Sequence, residues 1–101
     1  MDGLCEIDAD GTEIESRVLR FLSDKNCDMV TGIRRMGRER FVACVGEIAA
    51  ENGIRIRILP HWGRLEDEIS KMLSEDPGAD IAYGQDLCHQ VPAVVRYRKR
   101  N

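Results

Sequence analysis

At 101 residues, 43% of them hydrophobic and 33% charged, the chain can bury one modest core and is too apolar to be mainly disordered. Its net charge of −3 argues against a protein that is basic all over, and no apolar run approaches the length of a membrane-spanning helix. With no basic-then-apolar leader and no paired C-x-x-C spacing among Cys5, Cys27, Cys44 and Cys88, a cytoplasmic protein with buried, reduced thiols is expected.

Taken in order, Leu4–Ile7 is a short strand candidate with Glu6 in its middle, followed by an Asp8-Ala9-Asp10-Gly11 turn. Thr12 and Glu15 have capping-box spacing, and Ile14, Val18, Phe21 and Leu22 recur at helical intervals, which predicts a helix over 13–25. A second strand over 28–31 ends at Gly32, and Arg34, Arg35 and Arg38 follow, with Gly37 among them. Phe41, Cys44, Val45, Ile48 and Ala49 give the next helix an apolar stripe, and Asn52-Gly53 is a left-handed stop. Ile54, Ile56 and Ile58 alternate with Arg55 and Arg57, the period of a half-exposed strand that Pro60 ends. Leu65, Ile69, Met72 and Leu73 predict a third helix, broken by Pro77-Gly78. Asp80–Tyr83 reads as a fourth strand, Gly84-Gln85-Asp86 as its loop, and Ala93–Arg98 as a fifth strand before a frayed tail over 99–101.

Strands alternating with helices predict a single domain over 1–101, an α/β fold of three layers with a small doubly wound parallel sheet. The expected order of its five strands is 3-2-1-4-5, a Rossmann-like arrangement. An exposed edge strand in such a sheet leaves room for a homodimer. Ligands of an open parallel sheet bind beyond the carboxyl ends of its strands. There the loops 8–12, 31–38 and 84–89 would converge. A strand, a glycine loop and a helix N-terminus carrying arginines form an anion pocket, so Thr31, Gly32, Arg34, Arg35, Gly37, Arg38 and Glu39 are candidate ligand-binding residues for a phosphate.

From Val30 onward the text VTGIRRMGRE, AAENGIRIRILPHW, ISKML and ADIAYG resembles the SLOG superfamily, the Rossmann-like domains related to LOG and DprA proteins. The resemblance implies a nucleotide-type pocket on Gly32, Gly37 and the arginines between and after them. With GQDLCH where enzymatic members carry a glycine-rich phosphate turn, it implies a sensing or regulatory role more than catalysis.

IDADGT, Ile7 to Thr12, also resembles the nucleophile loop of haloacid-dehalogenase phosphatases. That likeness implies Asp8 as nucleophile, Asp10 as general acid, Thr31 and Lys71 in the second and third motifs, and Mg²⁺ held by Asp8, Asp10 and Asp86. A third reading is a nucleic-acid or protein interaction domain using Arg55, Arg57 and the tail RYRKR. Cys88 and His89 are a weak zinc candidate. Trp62, two residues after Pro60, either packs over the sheet end or stacks on a base at a pocket rim.

Overall fold

The computed structural model describes residues 11–63 and 65–98. The expected first strand and the Asp8–Asp10 turn lie outside the described residues. Three helices and four strands follow in the order α1 (Gly11–Ser23), β1 (Met29–Thr31), α2 (Arg38–Glu51), β2 (Ile56–Leu59), α3 (Glu66–Glu75), β3 (Asp80–Asp86) and β4 (Pro92–Arg96). The helices fall where the apolar periodicity places them. Gly53, at φ +68, takes the left-handed stop beyond α2, and the Ile54 amide reaches back 2.9 Å to the Ala49 carbonyl oxygen.

The sheet is not the parallel Rossmann-like one expected. Its described strands number four, in the order β1-β4-β3-β2; β1–β4 and β4–β3 are antiparallel, and only β2–β3 is parallel. The physical reason is the link between the last two strands. A parallel return needs a crossover of about a dozen residues or more, and only residues 87–91 separate β3 from β4. The chain therefore turns back as a hairpin, closed by the Leu87 amide on the Val91 carbonyl oxygen at 2.9 Å, with His89 and Gln90 at φ 63 and 58. Gly84-Gln85-Asp86, expected as a loop, is the end of β3, where Asp86 pairs with Pro92. Once the hairpin is in place, β4 occupies the position beside β1 that a doubly wound sheet gives to another parallel strand.

Helices cover both faces. A β-α-β crossover of fixed hand lays its helix on one face when it runs one way along the sheet, and on the other face when it returns. The path from β1 through α2 to β2 crosses from one edge to the other, and the path through α3 to β3 comes back. Accordingly α1 and α2 pack on one face, burying Val18, Phe21, Phe41 and Val45 against Val30, Ala82 and Val94. On the opposite face, Ile69 of α3 is buried with Leu59 and Ile81. Ile56 and Ile58 pack against the first core while Arg57 is exposed, as the alternation of β2 requires.

No described helix is long and apolar enough to cross a membrane. Of the cysteines expected to be buried, Cys27 and Cys44 are half-buried, but Cys88 is exposed on the hairpin. Cys5 lies outside the described residues.

Candidate functional site

Because β2 runs parallel to β3, and β4 runs against both β3 and β1, the carboxyl ends of β1, β2 and β3 lie at one end of the sheet. Three connections meet there: residues 32–37, residues 60–63 and the hairpin turn over 87–91. Even though the topology differs from the expected one, the loop after β1 and the end of β3 come together, because both strands point the same way.

The connection after β1 starts with a tight approach. Gly32 donates its amide to the Pro92 carbonyl oxygen at 2.7 Å, and a Cβ on it would lie 2.8 Å from the Phe41 ring and 3.0 Å from Pro92. Gly32 is thus a packing glycine beneath the site. A turn follows, with the Met36 amide 3.0 Å from the Ile33 carbonyl oxygen. Arg35 occupies its third position at φ 85, a backbone region that favours glycine. Gly37 then precedes α2, with no side-chain cap on the helix and nothing within 4 Å of where its Cβ would stand.

The first turn of α2 carries the most telling charges. A helix N-terminus is the positive end of its dipole and favours acidic residues. α1 has Glu13 in its first turn, and α3 has Glu66, Asp67 and Glu68. α2 opens instead with Arg38 and Arg40 around Glu39. Two arginines at that position oppose the dipole, so they do not serve the helix's own stability. With Arg35, Gly37, Glu39, Asp86 and Gln90 they line a cavity of about 680 Å³.

Arg38 is the hinge of the site. Its Nη1 donates to Asp86 Oδ2 at 2.8 Å, joining α2 to the end of β3, and its buried Nε has no hydrogen-bond partner. Arg38 and Asp86 also border a second cavity, of about 470 Å³, together with His61, Trp62, Gly84 and Gln85. Gly84 permits this closure: a Cβ there would stand 2.3 Å from the Pro60 carbonyl oxygen and 3.1 Å from Arg38 Cγ.

Of the residues expected to bind a ligand, Arg35, Gly37, Arg38 and Glu39 are gathered at one cavity. Arg34 is exposed and does not line it. Thr31 is directed elsewhere, its Oγ1 accepting a hydrogen bond from Arg17 Nη2 of α1 at 2.8 Å. Asp86, given a metal-binding role in the phosphatase reading, is the ion-pair partner of Arg38. Lys71 sits on α3 at the opposite face of the sheet, and Asp8 and Asp10 lie outside the described residues. Among the described residues no group of three or more His, Cys, Asp or Glu side chains is placed to hold a metal ion.

Sequence reasoning missed Arg40, Gln90 and the loop carrying His61 as parts of this end. The signal for the first was present, since Arg40 breaks the dipole preference just as Arg38 does. Gln90 and His61 depend on strand order. Compared with known proteins, the chain matches no family model, no curated protein and no solved structure.

Proposed function

We propose that the protein binds a phosphate-bearing small molecule, of nucleotide type, at the start of α2, in a sensing or regulatory role. The observation that carries this reading is the net positive first turn of α2, where Arg38 and Arg40 flank Glu39, whereas the first turns of α1 and α3 are net acidic. An anion seated at Gly37 would receive exposed backbone amides, the helix dipole and bidentate guanidinium donors together, and would relieve the repulsion that the arginines now meet.

Two further features support it. The unpartnered Arg38 Nε is a buried donor for which a ligand oxygen would be a partner. Backbone strain also gathers at this cavity, because Arg35 and Gln90 both line it in left-handed conformations. Asp86 holds Arg38 in place until a stronger anion competes for it.

The test is a thermal-shift titration with inorganic tripolyphosphate and with ATP. A ligand at 100 times its Kd stabilises a folded chain by about 2.7 kcal/mol, and each kcal/mol raises the Tm of a domain this size by roughly 4–8 °C. The rise should vanish in the Arg35→Ala/Arg38→Ala variant. A wild-type Tm unmoved by either compound would sink the reading.

A further inference from the structure

We propose that the cavity between Trp62 and the Arg38–Asp86 pair receives an aromatic base, so that the ligand is a nucleotide bound with its phosphates at α2 and its base on Trp62. This rests on the phosphate site above and adds a second, separately testable half to it. The two cavities share Arg38 and Asp86, so one molecule reaching past this ion pair enters both.

Trp62 is built as a platform. Its ring is 5.8 Å from that of Tyr97 in a stacked arrangement, 24° from parallel, and 4.8 Å from that of Tyr83 at a 46° tilt. Tyr83 of β3 and Tyr97 beyond β4 both belong to the α3 face of the sheet, so they support the indole from below. Even so, Trp62 keeps 37% of its surface exposed. A large aromatic ring fixed by two others yet open to water is preorganised for stacking, because little motion remains to be lost when a flat partner arrives.

The polar groups around the cavity suit a heterocycle. The His61 Nδ1 lies 2.6 Å from the Trp62 carbonyl oxygen and donates to it, which leaves Nε2 free to face a ligand. Gln85 offers an amide, and Asp86, once an anion takes over Arg38, offers a carboxylate to ring N–H or amino groups. An inorganic or sugar phosphate would fill the α2 end alone and leave the indole in water.

Trp62 is the only tryptophan of the chain and also borders a cavity against α3 with Glu66, Ser70 and Tyr97, so a quench counts for the Arg38–Asp86 cavity only when Gln85→Ala weakens it. ATP and adenosine should quench it saturably, while tripolyphosphate should bind without quenching and should compete with ATP. By calorimetry, Trp62→Leu should weaken ATP about tenfold, the scale of one lost base stack, and leave tripolyphosphate affinity unchanged; Trp62→Phe should recover part of the loss. Equal affinities for ATP and tripolyphosphate with no quench would overturn the base site and leave the phosphate site standing. Quenching by adenosine without any tripolyphosphate binding would keep the base site and remove the phosphate reading. If neither compound binds, both halves fall.

Discussion

β3 begins with Asp80 and ends with Asp86, both on the face that α1 and α2 cover, and each carboxylate meets an arginine. At the first end the partner is Arg96 of β4, whose side chain is 1% exposed while that of Asp80 is 20% exposed. Its guanidinium is satisfied on every side: it pairs with Asp80, donates to the Phe21 carbonyl oxygen at 2.6 Å and to that of Cys27 at 3.4 Å, and stacks 4.6 Å from the Phe21 ring centre. At the other end Arg38 is 32% exposed, makes one ion pair and keeps an unpartnered Nε. The same pair of residue types therefore forms a closed joint at one end and an open one at the other. Completeness of hydrogen bonding, more than charge, separates the buried arginine from the half-exposed one.

Breaking each joint should give unequal losses. Arg96→Met strands a largely buried carboxylate and two carbonyl groups, and removal of one member of a buried pair costs about 3–5 kcal/mol. A domain of this size has a total stability of only about 5–15 kcal/mol, so the urea midpoint should fall steeply or the chain should fail to fold. Arg38→Met, in a solvent-reached pair, should change stability by less than about 1 kcal/mol while abolishing the tripolyphosphate shift. Equal destabilisation by the two variants would mean that the Arg38 joint is structural as well.

The glycines sharpen the same contrast at a smaller scale. Gly84→Ala drives a Cβ toward backbone, 2.3 Å from the Pro60 carbonyl oxygen and 2.8 Å from Val42, and overpacking of this kind costs about 1–3 kcal/mol. Gly37→Asp meets open space at φ −67 and supplies α2 with the cap it lacks, for a gain of a few tenths of a kcal/mol. That carboxylate would occupy the proposed anion seat. Denaturant melts and tripolyphosphate titrations should therefore diverge for Gly37→Asp, the first slightly better than wild type and the second lost.

The local features of the fold were legible in the residues. The apolar stripes of three helices, the Asn52-Gly53 stop and the Ile/Arg alternation of β2 depend on neighbours within one turn or one pleat. Strand order was not, because it depends on pairings between distant segments, yet the expected link over 84–92 was already short for a parallel return. The site divided in the same way. Arg35, Gly37, Arg38 and Glu39 lie on one local run and were found together. Thr31, on the same run, does not line the cavity, its Oγ1 accepting a hydrogen bond from Arg17 of α1. The packing role of Gly32, the ion-pair role of Asp86 and the support beneath Trp62 become visible only when α2, β3 and β4 are brought side by side.

Two thiols extend the comparison to chemistry. Cys88 is exposed on the hairpin between β3 and β4, and Cys44 is half-buried on α2 beside the first core. Burial pushes the Cys44 thiol above its usual 9.0, and the nearby carboxylates of Glu47 and Glu15 push it further in the same direction. At mildly alkaline pH iodoacetamide should therefore modify Cys88 first and Cys44 slowly, because the thiolate is the reacting form and Cys44 holds less of it. The linkage has a definite sign. A thiol raised in the folded chain binds its proton more tightly there than when unfolded, so its contribution is complete below pH 9.0 and is lost as pH climbs through the folded value. The urea midpoint of the wild type should thus decline above pH 9.0 more steeply than that of Cys44→Ala. Parallel slopes for the two proteins would show that Cys44 is well solvated, and that the seam between α1 and α2 is looser than its packing indicates.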